Sequence, residues 1–296
     1  MSTISRRSSA ACLGLGTAQF GLRYGIANRL GQVSFEDAKT IVNLASANGI
    51  DTLDTASAYG DSEACLGTIG VGSMKVVTKL AEVPRGGNAG NWVRDQVAAS
   101  LARLGVGSIY ALLLHRPRQL TEPGGKELFK AMMEMKDSGI VEKIGISIYG
   151  SDELLPTIDR FQLDVVQAPL NLVDRRIHST GWLTRLKDRG IEIHTRSAFL
   201  QGLLLMPQEK IPTKFEPWSE VWAGWHKWLV DNRASAIATC LAYPLCLPEV
   251  DRVIVGVDSA EQMREIVSAA GQVSVAVPDL KCDDENLVDP TNWDRL

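Results

Sequence analysis

The sequence predicts an α/β chain folded as a (β/α)8 TIM barrel, with an N-terminal extension and an extra Trp-rich helix near the C-terminal third. Three observations predict it. A helix that ends at a glycine and runs straight into a short β-rich segment recurs along the chain; the candidate strands number eight; and the first strand-to-helix turn lacks a dinucleotide-binding fingerprint. Alternating strands and helices require a parallel sheet covered by helices, either doubly wound or closed. Gly14, Gly16 and Gly21 miss the GxGxxG pattern because position 19 is Gln19. Eight units within 296 residues favour the closed form, read as one domain over residues 1–296.

The elements follow in order. Residues 13–17 are the first strand. Ser34 precedes Asp37 by three, a spacing like that of a capping box, and opens a helix in which Phe35, Ala38, Ile41, Val42 and Ala45 share a face. Asn48-Gly49 ends it, because glycine accepts the left-handed conformation beyond a helix, and residues 50–54 read as a strand. Residues 76–79 are the next strand. Val93, Val97, Leu101 and Leu104 mark a helix stopped by Gly105 before a strand at 109–114. Leu128, Phe129, Met132 and Met133 mark another, stopped by Gly139 before 141–147. Strands at 165–167, at 191–195 after Leu183, Leu186 and Gly190, and at 253–256 complete the set. The four marker glycines are 56, 34 and 51 residues apart, close to two, one and two βα units.

Two regions break the rhythm. Residues 210–229 hold Trp218, Trp222, Trp225 and Trp228 and read as an additional helix, in which Trp222 and Trp225 have the spacing of a buried stripe. The polar tail at 281–296 either crosses the barrel mouth or frays.

Composition narrows the function. The chain has 31 Lys plus Arg against 35 Asp plus Glu, a formal charge of −4, so no nucleic-acid partner is implied; 45% hydrophobic and 22% charged residues exclude disorder, collagen and a disulfide scaffold. The longest apolar runs are strand-sized, and residues 1–11 lack a continuous apolar stretch, so neither a membrane span nor a signal peptide is expected. Five scattered cysteines without CxxC spacing fit a reducing compartment, with the cytoplasm as default. His115, His178, His194 and His226 show no ligand spacing with Cys or carboxylates, so no metal is expected.

In a (β/α)8 barrel, chemistry sits at the C-terminal ends of the strands. There the chain places Asp54, Tyr59 in the following loop, Lys79 and His115. Each has an ordinary reading: Asp54 as a capping residue, Tyr59 as a packed aromatic, His115 as a hydrogen-bonded structural histidine. A lysine ending a buried strand, however, must pair with something or suffer desolvation. Together the four have a chemical logic. A phenol of ordinary pKa is a weak acid at neutral pH; an adjacent Lys79 ammonium would lower the pKa of Tyr59, Asp54 would hold that ammonium, and His115 would orient a carbonyl oxygen. Such a proton donor suits carbonyl reduction with hydride from a nicotinamide.

The sequence resembles the aldo-keto reductase superfamily. The segments that carry the resemblance are LGLGTAQFG at 13–21, GIDTLDTASAYGDSE at 49–63, VVTKL at 76–80, LLLHRP at 112–117, KIGIS at 143–147, VVQAPLN at 165–171, RSAFLQGLL at 196–204 and VIVGVDSAEQM at 253–263. The resemblance implies a catalytic tetrad of Asp54, Tyr59, Lys79 and His115. It also implies a nicotinamide dinucleotide lying extended across the barrel mouth. Ser147 and Gln167 match positions that bind the carboxamide, and Gly16 and Thr17 the loop beside the nicotinamide. Ser197, Phe199, Gln201 and Gly202 match the pyrophosphate loop, and Gly256, Ser259 and Gln262 the last strand-to-helix turn. Ser259 with Gln262 also fits a plain helix cap.

Three departures from the family pattern stand out. Ile148 replaces the common Asn after Ser147. Arg196 replaces the aromatic that stacks on the nicotinamide; beside a ring that becomes cationic on oxidation it would raise the reduction tendency of the cofactor, which equal midpoint potentials in wild type and Arg196→Met would refute. After the last strand only Arg264 is basic, with Asp258 and Glu261 nearby, so both NADP and NAD remain in play. The reading is an NAD(P)-dependent oxidoreductase acting on a small carbonyl or hydroxyl compound, a sugar-like one among the candidates, with Tyr24, Trp92 and Arg116 near the substrate. Arg116, Arg175 and Arg176 offer recognition of a carboxylate or phosphorylated sugar, or else surface ion pairs. The alternative is a cofactor-binding regulatory protein of the same fold with little turnover.

Overall fold

The computed structural model describes residues 9–84, 86–271 and 276–296. Residues 1–8 of the expected N-terminal extension lie outside the described residues; the remainder is a 3-10 turn, Ser9–Cys12, leading into the first strand. Eight strands follow: β1 (Leu13–Gly16), β2 (Thr52–Asp54), β3 (Lys75–Leu80), β4 (Ile109–Leu114), β5 (Val141–Ser147), β6 (Val165–Pro169), β7 (Glu192–Arg196) and β8 (Arg252–Gly256). They form a closed parallel barrel in chain order, β8 pairing back onto β1.

Local chemistry places the outer helices. Ser34 caps the helix Phe35–Ala47 by accepting from the Asp37 N–H, and Asn88 caps Ala89–Leu104 by accepting from the Asn91 N–H. The marker glycines Gly49, Gly105, Gly139 and Gly190 all have positive φ, between 65° and 82°, so each ends its helix in the conformation expected of it. Phe35 does not join the buried face of its helix, which is formed by Ala38, Ile41, Val42 and Ala45: it is the first helical residue, 39% exposed.

Because strands repeat every two residues, alternate side chains face the helix layer and the barrel interior. Val76 and Leu80 of β3 join the large outer core, while Val77 packs inside with Ala111, Leu113 and Val165, all fully buried. Polar side chains flank that apolar cluster, and the two sets meet where Gln167 pairs in register with His194. Lys143, Glu192, His194 and Tyr110 lie toward the strand starts; Asp54, Lys79 and Gln167 lie toward the strand ends.

Two expectations are revised. The Trp-rich helix begins at Ser219, not Lys210, and runs to Asn232; residues 208–218, with Pro212 and Pro217, form short 3-10 turns, because proline removes the N–H that an α-helix needs. Trp222 and Trp225 are buried, their indole N–H groups donating to the Phe215 and Leu204 carbonyls, as a packing stripe requires. The tail packs rather than frays: Leu287, Val288 and Trp293 are buried, and the Trp293 ring meets Phe215 at 4.9 Å. Its Cys282 N–H donates to the Val173 carbonyl, which ties it beside the loop after β6.

Candidate active site

Alternation on the strands brings the polar residues at their C-terminal ends to one place. Lys79 of β3 is 1% exposed; its Nζ is 2.5 Å from Asp54 Oδ2 on the neighbouring strand and also donates to the Thr55 carbonyl at 2.9 Å. The second Asp54 oxygen accepts from Gln167 Nε2 at 2.6 Å, and Ser147 Oγ donates to Gln167 Oε1 at 3.1 Å. The loop after β2 then presents Tyr59. Its backbone passes so close to Gly21 that a Cβ there would lie 1.8 Å from the Tyr59 carbonyl oxygen, so only glycine lets the two loops meet. The Tyr59 ring sits edge-on to His115, centroids 5.9 Å apart, and Lys79 Nζ lies 5.1 Å from the Tyr59 ring centroid.

The electrostatics revise the expected tuning of the phenol. Burial first, and the Asp54 carboxylate second, push the Tyr59 hydroxyl well above its ordinary pKa, with the Arg196 guanidinium acting in the opposite sense. Lys79 does not bring it down, because its charge is matched at 2.5 Å by Asp54. Burial likewise lowers the Lys79 ammonium pKa while Asp54 opposes the change. His115 is pushed down to about 3, by burial first and then by Lys79, Arg196 and Arg116, and is therefore a neutral imidazole. Among the described residues, neither the Tyr59 hydroxyl nor the His115 ring has a side-chain hydrogen-bond partner in the protein.

Beside these groups opens a cavity of about 680 Å³, within the range of small-molecule sites. Asp54, Tyr59 and Tyr24 reach its wall. So do Gly16 and Thr17 on one side, Arg196, Ser197, Phe199, Gln201 and Gly202 on another, and Gly256 and Gln262 on a third. Ser197, Leu200 and Gln201 have positive φ without being glycine, so the loop after β7 holds a strained backbone at the cavity edge, at about 1 kcal/mol or more for each residue.

Several expected residues lie elsewhere. Ser147 and Gln167 are buried off the wall and committed to each other and to Asp54. Ser259 caps the helix Ala260–Ala270 by accepting from the Gln262 N–H, and the Gln262 side chain takes the Asp258 N–H, so the plain cap is what forms. Trp92 packs against the core from the helix Ala89–Leu104 and is not on the cavity wall. Arg175 and Arg176 pair with Asp279 and Asp174. Arg116 lies over the Tyr149 ring at 5.0 Å, and Arg196 lies over the same ring at 4.7 Å. Burial, reinforced by Asp61, pushes the Cys65 thiol up, in keeping with an inert cysteine.

Sequence reasoning missed Tyr149, although an aromatic two residues beyond Ser147 at a strand end was a usable signal. It also missed Asn28, Arg29 and Lys210 on the cavity wall, which arrive from distant loops and carry no local signature. Among the described residues no group of three His, Cys, Asp or Glu side chains gathers as a metal site, and no helix is long and apolar enough to cross a membrane.

A model of the Aldo/keto reductase family matches residues 12–275. The NADH-specific methylglyoxal reductase of Escherichia coli (strain K12) is 26% identical over 195 residues, covering 60% of this chain and 59% of that protein. An aldo-keto reductase of Strobilurus tenacellus is 28% identical over 221 residues, covering 69% and 62%. The chain thus spans about three fifths of the length of these two curated relatives. In structure, the holo form of an aldo-keto reductase from Bacillus halodurans superposes with a TM-score of 0.69 at 21% identity, covering 90% of this chain and 94% of that one, a likeness of fold.

Proposed function

The chain belongs to the aldo/keto reductase family, and from that premise we propose that it reduces an aldehyde or ketone to an alcohol, or runs the reverse reaction, with NADP or NAD. The observation that carries this reading is the Tyr59 hydroxyl, open and protonated beside a neutral His115 at the mouth of the cavity.

The cavity suits a nicotinamide dinucleotide. Its wall combines glycine backbone at Gly16, Gly202 and Gly256, polar side chains at Ser197, Gln201 and Gln262, and the cations Arg29, Arg196 and Lys210, a donor set matched to an elongated anionic molecule. When bound, such a cofactor supplies hydride to the carbonyl carbon.

The side chains would do the rest. Tyr59 holds its proton at Oη and passes it to the carbonyl oxygen as that oxygen gains negative charge. The raised pKa keeps the proton on the phenol at neutral pH, and Arg196, the guanidinium that acts against that rise, would stabilise the phenolate that follows. Asp54 keeps Lys79 charged despite burial, and Gln167 with Ser147 holds the Asp54 carboxylate in place. His115, neutral, donates an N–H to the carbonyl oxygen without competing as an acid.

The test is titration of the protein with NADH and NADPH, read by the fluorescence of its seven tryptophans. Saturable quenching by either cofactor, followed by its oxidation on adding aldehydes, is expected. No quenching by either at millimolar concentration would end the reductase reading.

A further inference from the structure

Several arginines of the chain face a carboxylate: Arg175 pairs with Asp279, Arg176 with Asp174 and Arg252 with Asp51. Arg116 and Arg196 make no ion pair among the described residues. They share the ring of Tyr149 instead, at 5.0 and 4.7 Å, so the two charges lie within about 10 Å of each other, near the range over which salt screens charges. Arg196 is tied to the Ile148 carbonyl at 3.0 Å and to Ser197 Oγ at 3.3 Å, contacts that hold the guanidinium but leave its charge unmatched. Arg196 is partly buried, where an uncompensated cation is costly unless a partner arrives, while Arg116 stands exposed just beyond the end of β4.

The location gives the partner. Arg196 is on the cavity wall with Tyr59, and Arg116 directly follows His115 in the chain. Both guanidiniums act on the His115 imidazole. Lys79, the third cation there, is already neutralised by Asp54 at 2.5 Å. Of the three cations that act on the His115 imidazole, Arg116 and Arg196 are therefore the two without a carboxylate partner among the described residues, and they share one aromatic ring.

The geometry points to a carbonyl substrate that carries its own anionic oxygens, a carboxylate or a phosphate monoester, recognised by the Arg116 and Arg196 guanidiniums stacked on Tyr149. This rests on the reductase reading and narrows it. Planar guanidinium forks match either anion in a way that an ammonium does not. Tyr149 is a positioning residue: its ring lies against both guanidiniums and holds them near each other.

The test compares substrates with and without an anionic group: 4-oxobutanoate with butanal, and glyceraldehyde 3-phosphate with glyceraldehyde. The expected result is a kcat/KM for the charged member of at least one pair that is about tenfold to a hundredfold higher at low ionic strength, shrinking as salt is added. The pair that shows it tells carboxylate from phosphate. Arg116→Gln should lower the ratio mainly through KM, and Arg116→Lys should restore part of it. Tyr149→Leu should lower the ratio and Tyr149→Phe should recover it.

The same preference is read without turnover from the unreactive pair butanoate and butanamide, by tryptophan fluorescence of the cofactor-loaded protein. Equal kcat/KM within both pairs, or equal affinity for butanoate and butanamide, overturns the anionic-substrate inference while leaving carbonyl reduction standing. So does an Arg116→Gln variant that loses cofactor affinity with the substrate ratio intact, since the guanidinium would then serve the cofactor. Failure of both NADH and NADPH to quench fluorescence would instead overturn the reductase reading itself.

Discussion

The barrel interior carries a lysine, a carboxylate, a tyrosine and a histidine at each of its ends, and the two sets are wired in opposite ways. At the strand starts every polar member is tied to another. Tyr110 donates to Glu192 at 2.7 Å and accepts from Lys143 at 2.8 Å, Lys143 pairs with Glu192, and His194 Nε2 meets Glu192 Oε1 at 2.8 Å. At the strand ends Lys79 and Asp54 are tied together, but the Tyr59 hydroxyl on the cavity wall and the His115 ring beside it have no side-chain hydrogen-bond partner among the described residues. The same residue types bond to one another at one end, where the buried His194 Nδ1 alone of their side-chain polar atoms lacks a partner among the described residues, and keep the Tyr59 hydroxyl and the His115 ring in reserve at the other. Composition of a cluster does not make a site; hydrogen-bonding capacity left unmet beside a cavity does.

The sharpest way to break this comparison is to remove one hydroxyl from the open end. Tyr59→Phe is expected to lower turnover of any carbonyl substrate by about 10²- to 10⁴-fold, the range for loss of a general acid, while leaving the midpoint of urea unfolding in place. A variant that turns over normally would return Tyr59 to the role of a packed aromatic.

Ion pairs give the next largest effect and rank the two ends. Asp54→Asn leaves Lys79, 1% exposed, as an unmatched buried charge, which costs about 3–5 kcal/mol. Glu192→Gln strands Lys143, whose side chain is 29% exposed, so water recovers part of the loss and the expected cost is about 1–3 kcal/mol. Denaturant titration measures both, and a larger loss at Glu192 would reverse the ranking. Turnover should fall with Asp54→Asn and hold with Glu192→Gln.

How much of this was legible in the sequence differs between the ends. Strands 109–114 and 141–147 fall where the pattern places them, because the apolar runs are bounded by glycine-ended helices. Asp54, Tyr59, Lys79 and His115 were legible because each ends or directly follows a strand. The closed set was not, since Tyr110, Lys143, Glu192 and His194 sit at strand starts whose register and inward side appear only in the folded sheet. The role of Arg196 was legible only in part: its identity departs from the family pattern, but the ring it shares with Arg116 comes from another strand end. The expected lowering of the Tyr59 pKa failed for a related reason, since sequence names the cation but not the 2.5 Å contact that neutralises it.

Acid should separate the two ends. His115 is held neutral with its pKa down at about 3, against about 6.5 in the unfolded chain, so between these values the unfolded state binds more protons and stability falls as the pH drops. Burial pushes the Glu192 carboxyl up, but hydrogen bonds from His194 and Lys143 outweigh it and hold the carboxyl below the usual range. Its contribution is therefore intact above about pH 4.3 and is lost only below that. Unfolding free energy measured from pH 7 downward should begin to fall near pH 6.5, and His115→Gln should reduce that first decline, to which His226, its imidazole also lowered by burial, contributes the rest. A first decline that survives undiminished in His115→Gln would place its origin elsewhere.

The smallest effect tests the closed end directly. Tyr110→Phe removes one hydroxyl that both donates to Glu192 and accepts from Lys143, yet leaves those two paired with each other. With the ion pair preserved and the phenol partly exposed, the loss should be about 1 kcal/mol of unfolding free energy, the net worth of a hydrogen bond to a charged group near water. Turnover should stay within about twofold of wild type, because Tyr110 is not on the cavity wall and packs against the apolar cluster of Val77, Ala111, Leu113 and Val165. A tenfold change in kcat/KM from this substitution would mean that the two ends are coupled, and the lower set would then have to be counted as part of the site.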